Sequence, residues 1–316
     1  MIYVMSLPRI DTRYTSQWAD MIEKFIKESG RQDEIVLLES KDKYSVAPNS
    51  FLNYRDYFSY IFPFMVSVIK VVKDGDTVFF LDGETAGMEA FEYLRKMENK
   101  NITLKAIWHA GTYDKNDLTS YAGVKGKNFE LGWFDILDKI YVGSNYHKQL
   151  LIDTRLVDKS KIEVTGLPID FENILDGRET KKIHDVIFTG RLGVDKGYDL
   201  VKKLREEKGL DIIATMEKGY SKKEYYKVLA ESKLMFSPSR HELFGIGVAE
   251  AMASNVPVLV PNDMPVYREL VPVGYRYDSL DLVDWDKKLN MWKEKADLRK
   301  HVSHYSYKDI FSRWFT

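Results

Sequence analysis

Short apolar segments alternate with helical patterns along most of this chain, and that alternation limits the possible folds more than any other feature. Each apolar segment has the length of a buried strand, and strands separated by helices build parallel sheets from βαβ units. The sequence therefore predicts an α/β fold. The predicted strands are residues 2–5, 35–38, 78–81, 104–108, 139–142 and 161–165 in the first half, and 185–189, 211–215, 234–237 and 256–260 in the second.

A change in composition indicates where the chain divides. A length of 316 residues suits two domains, each with its own hydrophobic core. At residues 170–184 the apolar strands give way to a polar and charged segment, which is typical of a linker. We predict a first domain over residues 1–172, a second over residues 183–304, and a C-terminal helix within residues 305–316 that returns to the first domain.

Charge and cysteine content exclude several classes of function. The chain has 47 basic and 48 acidic side chains, a formal charge of -1, so no overall field would attract nucleic acid or an anionic membrane. Cysteine is absent, which excludes disulfides, thiolate metal sites and a cysteine nucleophile. The first residues, Met-Ile-Tyr-Val-Met, lack the pattern of a signal peptide, and we therefore expect a cytoplasmic protein.

The most apolar run covers residues 57–72 and contains Pro63. It is too short to span a bilayer. An interfacial membrane helix would need a basic polar face, which this segment lacks. We expect a helix that packs in the core.

Two glutamates flank a glycine-containing turn in the segment Glu242-Leu-Phe-Gly-Ile-Gly-Val-Ala-Glu250. Gly245 and Gly247 let the backbone approach a ligand closely, and Glu250 is predicted to lie about one turn into the following helix. Ionised carboxylates accept hydrogen bonds from vicinal hydroxyls, and exposed amides bind the remaining oxygens. The pattern predicts a site for a polyhydroxylated ligand, either a sugar or a ribose.

A second candidate site follows the strand at residues 185–189, where the chain reads Gly190-Arg191-Leu-Gly-Val-Asp-Lys196-Gly197. Arg191 offers a planar fork, Lys196 offers a point charge, and the helix that begins near Gly197 would present free amides. This combination predicts a phosphate or diphosphate site. A solvated basic turn with a glycine cap is the alternative.

His109 ends the strand at residues 104–108, and ligands of open parallel sheets bind outside the carboxyl ends of strands. We therefore predict that His109 faces a ligand, with a structural role as the alternative. The segment 111–128 that follows reads as a long polar loop that could close over an acceptor. Five residues after the first strand lie at a predicted cleft edge, with a solvated loop as the alternative: Arg9, Asp11, Arg13, Thr15 and Ser16.

No metal site is predicted. The sequence Asp74-Gly-Asp76 resembles a metal-binding pattern, but it lies between a predicted helix and a predicted strand, where Asp-Gly is ordinary turn chemistry.

With these motifs in place, the chain resembles the two-domain GT-B glycosyltransferases, and among them the retaining family-4 enzymes of glycosyltransferase group 1. The resemblance implies two Rossmann-like domains that face each other across a cleft. It also implies that Arg191 and Lys196 bind the diphosphate of a nucleotide sugar, that Glu250 holds the ribose, and that Glu242 and His109 contact the transferred hexose. The remaining implied donor contacts are Gly190, Met216, Phe244, Gly245, Ile246 and Gly247.

Several positions depart from the family pattern. The glycine pair after the first strand is replaced by residues 9–16, and the second domain is short by about one βα unit, which moves the nucleobase pocket toward Met216–Tyr220. Asn255 stands where a glycine usually precedes Pro-Val. Asparagine tolerates the left-handed conformation, so Asn255 is expected to act as a helix cap.

The resemblance implies a metal-independent, retaining hexosyl transfer by front-face attack, with UDP-glucose as the most frequent donor and no tightly bound cofactor. A sugar-nucleotide epimerase or hydrolase of the same fold, and a non-catalytic sugar-nucleotide-binding relative, are the alternatives. The acceptor stays open among a glycan, a lipid-linked sugar, a polymer and a modified DNA base. An excess of lysine over residues 100–127 would suit an anionic acceptor, although a solvated loop explains it equally well. The oligomeric state is not predicted.

Overall fold

The computed structural model describes residues 1–10, 13–39, 43–44, 54–115 and 117–316. The chain forms two compact units. Among the described residues, the first unit contains those up to Gly166 together with Phe311–Thr316, and the second contains Leu167–Ile310. The predicted linker at residues 170–184 lies in the second unit, where Gly177 donates its amide hydrogen to the Ser254 carbonyl oxygen at 2.7 Å.

The first unit is built on a parallel sheet of six strands in the order β3-β1-β5-β6-β7-β8. Ile2 of β1 pairs with Ile35 on one side and with Thr77 on the other. The strands are β1 Ile2–Met5, β3 Ile35–Leu38, β5 Thr77–Phe80, β6 Thr103–Ile107, β7 Lys139–Val142 and β8 Ile162–Val164, with a separate short pair of β2 Arg9–Ile10 and β4 Lys43–Tyr44.

The described residues of the first unit contain five helices, and the first of them illustrates how the spacing of apolar residues and an end signal define a helix. The first of them buries Trp18, Ile22 and Phe25 on one face and ends at Gly30, whose φ of 70° is left-handed. Glycine adopts that conformation without strain. The helices are α1 Tyr14–Ser29, α2 Tyr54–Val71, α3 Glu89–Met97, α4 Gly123–Ile136 and α5 Asn145–Arg155.

The C-terminal residues pack against α1 and the first sheet. The rings of Trp18 and Trp314 lie 5.7 Å apart, and those of Phe25 and Phe311 also lie 5.7 Å apart. Phe79 of β5 lies 5.8 Å from Trp314. Edge and stacked contacts between these buried rings add to the free energy gained by burying their large apolar area. The predicted C-terminal helix forms as α12, Tyr307–Trp314.

The predicted helix over residues 57–72 forms as α2 and buries one face, with Tyr60, Ile61, Met65 and Val68 at most 3% exposed. Its other face is open, since Phe62 and Val66 are 43% and 51% exposed. Among the helices of the described ranges, none has the length and apolar character needed to cross a membrane.

The second unit has a parallel sheet of five strands in the order β10-β9-β11-β12-β13. Its core lies between the sheet and its helices and includes Phe188, Val201, Leu234 and Trp285. The strands are β9 His184–Phe188, β10 Ile212–Ala214, β11 Ser232–Phe236, β12 Val258–Pro261 and β13 Arg276–Tyr277, and the helices are α6 Tyr198–Lys208, α7 Thr215–Lys218, α8 Lys222–Glu231, α9 Ile246–Ala253, α10 Pro265–Leu270 and α11 Trp285–Asn290.

Local sequence signals set two helix ends in the second unit, and the predicted cap at Asn255 is one of them. Ser221 and Glu224 form a capping box at the start of α8, in which each side chain accepts a hydrogen bond from the other residue's amide. Asn255 follows α9 with a left-handed φ of 54°. Its side-chain oxygen also accepts hydrogen bonds from the amides of Leu298 and Arg299 at 2.9 and 3.0 Å.

The prediction of a long polar loop at residues 111–128 is wrong. A 3-10 helix covers Leu118–Ala122, and α4 starts at Gly123. Gly126 and Gly132 weaken the helical signal, because glycine destabilises a helix interior. Packing requires one of them: a Cβ at Gly126 would lie 2.6 Å from Thr112 Cγ2.

Candidate functional site

The phosphate-site candidates lie at the switch point of the second sheet. β9 has β10 on one side and β11 on the other, and ligands of such sheets bind outside the carboxyl ends of the strands where the order reverses. The segments that follow β9 and β11 contact each other there. The Arg240 amide donates to the Asp195 carbonyl oxygen at 2.9 Å, and Lys196 Nζ donates to the His241 carbonyl oxygen at 2.8 Å.

Each predicted phosphate-binding cation is paired with a carboxylate. Lys196 Nζ lies 3.0 Å from Glu242 Oε2, and Arg191 Nη2 lies 2.9 Å from Asp195 Oδ2. The Lys196 and Glu242 side chains are 16% and 23% exposed. The structure therefore brings together two residues, Lys196 and Glu242, that the family resemblance assigned to neighbouring parts of one ligand. An anion could replace either carboxylate as the partner of its cation.

Three glycines let backbone segments approach closely around Lys196. A Cβ at Gly190 would lie 2.7 Å from the Phe188 ring and 3.1 Å from Lys196 Cβ, and one at Gly247 would lie 2.3 Å from Thr189 Oγ1. Gly197 has a left-handed φ of 73°, and a Cβ there would lie 2.3 Å from the Pro238 carbonyl oxygen. The ends of β9 and β11 can meet only because these side chains are absent.

The prediction that the helix beginning near Gly197 presents free amides is wrong for its first residues. The Gly197 amide donates to the Val194 carbonyl oxygen at 3.0 Å, and the Tyr198 amide donates to that of Gly193 at 3.2 Å. A short 3-10 helix over Val194–Lys196 precedes α6 and accounts for these bonds. Any anion at this turn would be bound by the side chains rather than by these amides.

The start of α9 is a better source of amides. Gly245 is its N-cap with a left-handed φ of 88°, and the first amides of a helix, here from Ile246 onward, have no acceptor within the helix. The Phe244 side chain packs edge-on against Tyr305 at 5.0 Å and is 4% exposed. Phe244 could therefore reach a ligand only through its backbone.

Glu250 lies inside α9 and is 3% exposed. Lys222 Nζ donates to its Oε1 at 2.6 Å, Tyr226 donates to the same oxygen at 3.1 Å, and Tyr225 donates to Oε2 at 2.9 Å. Burial and the Glu250 charge raise the pKa of Tyr225, so its hydroxyl keeps the donated proton. Sequence reasoning missed these three partners, although Lys222, Tyr225 and Tyr226 lie at helical spacing within α8.

Met216 lies in α7, directly after the edge strand β10. It is half-buried. The structure thus places Met216 at the carboxyl end of a strand of the same sheet that carries the Lys196 turn.

We expect the Gly197→Ala substitution to destabilise the protein more than Gly209→Ala. Both glycines are left-handed, with φ of 73° and 62°, but nothing lies within 4 Å of a Cβ at Gly209. Both changes carry about 1–2 kcal/mol of backbone strain, and Gly197→Ala adds the overlap with Pro238. Urea unfolding of both variants measures the difference. Equal losses of unfolding free energy in the two variants would show that the chain near Pro238 can shift without cost.

In the first unit, His109 follows β6, two residues after its end. Its Nε2 lies 2.7 Å from the Leu81 carbonyl oxygen. A carbonyl only accepts, so Nε2 carries a proton and donates it to Leu81. The Tyr14 and Trp18 rings lie 5.7 and 5.5 Å from the imidazole and hold its plane.

A cavity of about 230 Å³ lies beside His109 at the switch point of the first sheet, where β1 has β3 on one side and β5 on the other. Arg13 and Thr15, which the sequence placed at a cleft edge, line it. Ser16 lies in α1, and Asp11 lies outside the described residues. Sequence reasoning missed three carboxyl groups that line this cavity and come from two separate loops: Asp82, Glu84 and Asp117.

Arg9 has a structural role. Its guanidinium lies 2.6 Å from Asp20 and 2.8 Å from the buried carboxylate of Glu39. These bonds raise the pKa of Arg9 further above its ordinary value. Asp74 and Asp76 form the expected turn around Gly75, whose φ is 83°. Within the described ranges, no group of His, Asp and Glu could hold a metal ion.

The sequence of the second unit matches a family model. Residues 195–309 match the model described as glycosyl transferases group 1. The matched range contains Lys196, Glu242 and Glu250, whereas Gly190 and Arg191 precede it. Over residues 195–309, the match confirms the resemblance to glycosyltransferase group 1 that the motifs of this unit indicated.

Solved structures with the same fold include sucrose-phosphate synthase of Thermosynechococcus elongatus, with a TM-score of 0.64 and 14% identity over 99% of this chain and 96% of that one. Anabaena HepE in complex with UDP and glucose has a TM-score of 0.64 and 10% identity over 99% of this chain and 97% of its own length. TarM of S. aureus has a TM-score of 0.57 and 17% identity over 79% of this chain and 56% of its own length. The chain thus spans little more than half of TarM. These likenesses confirm the predicted GT-B fold class of two Rossmann-like domains.

Proposed function

We propose that this chain, which has the GT-B fold and carries a glycosyl transferases group 1 domain, is a retaining glycosyltransferase that moves a hexose from a nucleoside-diphosphate sugar to a hydroxyl acceptor. The observation that carries the proposal is the pair of Lys196 and Glu242, 3.0 Å apart at the switch point of the second sheet. A cation for phosphate and a carboxylate for hydroxyls are the two groups that a sugar phosphate requires at neighbouring positions.

On donor binding, Lys196 and Arg191 would exchange their carboxylate partners for oxygens of the diphosphate. Lys196 and Arg191 are each paired with one carboxylate, Glu242 and Asp195, so binding of a diphosphate adds negative charge where two cations are available. Charge-assisted hydrogen bonds from a lysine and a planar guanidinium suit phosphate oxygens. The Glu242 carboxylate would then accept hydrogen bonds from the hydroxyls of the hexose.

The ribose would bind at Glu250. Its Oε1 accepts from both Lys222 and Tyr226, whereas Oε2 accepts from Tyr225. A carboxylate oxygen has capacity for a further donor, and the ammonium group of Lys222, whose side chain is 31% exposed, can move away to admit a second ribose hydroxyl. UDP-glucose is the proposed donor, supported by the bound UDP and glucose of the similar Anabaena protein.

In the proposed reaction, the bond between the anomeric carbon and the diphosphate oxygen breaks, and a bond from that carbon to the acceptor oxygen forms on the same face. The acceptor's proton passes to the leaving diphosphate oxygen. The products are a nucleoside diphosphate and a hexosyl acceptor with retained configuration. Lys196 and Arg191 stabilise the charge that develops on the leaving group. His109 is the proposed first-unit contact of the transferred hexose.

A donor screen tests the proposal. We expect UDP-glucose to raise the thermal unfolding temperature, because a ligand present at a hundred times its Kd stabilises the native state by about 2.7 kcal/mol. GDP- and ADP-glucose at the same concentration are the matched comparisons. We expect turnover of UDP-glucose to be unchanged by EDTA.

Product analysis by mass spectrometry completes the screen. A mass gain of one hexose on the acceptor identifies a transferase, free glucose from donor alone indicates a hydrolase, and a changed sugar on the intact donor indicates an epimerase. Stabilisation by donor with no product under any condition would identify a binding protein. If no nucleotide sugar stabilises the chain, the proposal is wrong.

A further inference from the structure

The cavity of the first unit has an excess of acidic groups. Among the described residues, Asp82, Glu84 and Asp117 line it, against the guanidinium of Arg13 and the imidazole of His109. Burial and the charges of Asp82 and Asp117 raise the pKa of Glu84 well above its ordinary value. The carboxyl groups are thus close enough to disfavour one another's ionisation. A further negative charge on a ligand would add to this repulsion.

The same groups suit hydroxyls. Asp82 accepts the Glu84 amide at 3.0 Å through Oδ1, and Asp117 accepts the Thr119 amide at 2.9 Å and its hydroxyl at 2.6 Å through Oδ1. These bonds orient the two carboxylates, and the second oxygen of a carboxylate can accept a ligand hydroxyl. A protonated Glu84 would supply a donor.

Aromatic side chains form another part of the wall. Tyr14 and Tyr57 both line the cavity together with the His109 ring. Tyr57 is oriented by a 2.8 Å hydrogen bond between its hydroxyl and Thr85 Oγ1. Rings packed beside polar acceptors are suited to a ligand that has both C–H faces and hydroxyls.

The lysines that made an anionic acceptor plausible lie elsewhere. Lys115, Lys125 and Lys127 are exposed, and the cavity lining contains none of the three. These lysines therefore do not line the cavity, and the described lining contains more acidic than basic groups.

We propose that this cavity binds an uncharged polyhydroxylated acceptor, a sugar or glycoside, and that the charges of Asp82 and Asp117 reject acceptors that carry phosphate or carboxylate. Only the description of this ligand as the acceptor rests on the proposed function. Three observations carry it: the cavity, its place at the switch point of the first sheet, and a lining of carboxyl groups and rings. Repulsion of like charges is a common way to obtain such selectivity.

Binding without donor tests this inference apart from the transferase activity. Saturation-transfer NMR on the full chain would compare the methyl glycosides of glucose, galactose, mannose and N-acetylglucosamine with glucose 6-phosphate and glucuronate. We expect signal from at least one neutral glycoside and at least tenfold weaker binding of both anions. The inference is overturned if the anions bind as well as the neutral sugars, or if no neutral glycoside gives signal.

Charge-neutral variants locate the selectivity. We expect Asp82→Asn and Asp117→Asn each to narrow the preference for neutral over anionic ligands by threefold or more. Asp135→Asn is the matched control, because it removes the same charge from an exposed position outside the cavity lining; its preference should equal that of the parent. An unchanged preference in both cavity variants, with unfolding temperatures like the parent's, would overturn the assignment.

The two proposals fail in different ways. Loss of UDP-glucose turnover with intact neutral-sugar binding would remove the proposed function and leave the cavity's ligand class standing. If anionic acceptors were glycosylated as fast as neutral ones, the proposed transferase function would stand and the proposed ligand class of the cavity would be wrong.

Discussion

Replacing Lys196 with alanine is expected to lower kcat for the nucleotide sugar by about a hundredfold or more. Lys196 is the cation that contacts Glu242 at 3.0 Å, and in the proposed reaction it stabilises the leaving diphosphate. Removal of one preorganised donor to developing charge typically lowers kcat by about 10²–10³, equivalent to about 2.7–4 kcal/mol. Steady-state release of UDP measures the effect.

Two further variants make this result specific. Glu242→Gln keeps the shape of the side chain and removes the charge, so we expect weaker hexose recognition and reduced turnover. Lys203→Ala is the control: it removes a lysine from α6, where Lys203 lies 3.8 Å from Glu207 and is 60% exposed, and it should behave like the parent. Folded Lys196→Ala and Glu242→Gln variants with parental turnover would refute the site assignment.

Replacing Arg155 with alanine is expected to destabilise the first unit by about 3–5 kcal/mol, because it leaves a buried carboxylate without its cation. Arg155 Nε lies 2.5 Å from Glu130 Oε2, and the two side chains are 7% and 1% exposed. Thr112 completes the cluster by donating its hydroxyl to Glu130 at 2.8 Å and accepting from Arg155 at 2.7 Å. Urea unfolding monitored by tryptophan fluorescence measures the loss.

The double variant Arg155→Met with Glu130→Gln separates the charge from the packing. It removes both charges and should recover part of the stability, since replacing a buried ion pair with neutral groups of similar volume is often tolerated. The exposed pair of Lys24 and Glu28, 3.9 Å apart, supplies the control: Lys24→Ala should change stability by about 1 kcal/mol or less. An Arg155→Ala loss as small as that of Lys24→Ala would contradict this account.

The Arg155 cluster also bears on function. Thr112 lies between His109 and Asp117, which both line the cavity of the first unit. The Thr112 amide and hydroxyl both donate to Glu130, and Glu130 belongs to α4. The buried ion pair therefore holds the segment that carries part of the cavity wall, and Arg155→Ala should weaken neutral-sugar binding as well as stability.

Helix ends could be read from the sequence where residues close together in the chain form the hydrogen bonds or adopt the backbone conformation of the cap. The capping box of Ser221 and Glu224 needs only residues three apart, and the left-handed Asn255 needs only its own side chain. By contrast, α4 could not be predicted because its glycines weaken the helical pattern. Gly126 is required by its close approach to Thr112, which lies fourteen residues earlier in the chain. Contacts at such separation leave no periodic pattern to read.

The sequence by itself determined the parallel α/β units, the turn with Lys196 and the glycine turn before α9, because strand alternation, helix capping and glycine placement act within short stretches of chain. Only the tertiary structure decided which charges meet. Lys196 and Glu242 are 46 residues apart, and Lys222 and Glu250 are 28 apart. Asp82 and Asp117 reach one cavity from separate loops, because parallel strands bring their carboxyl ends to one edge whatever the length of chain between them.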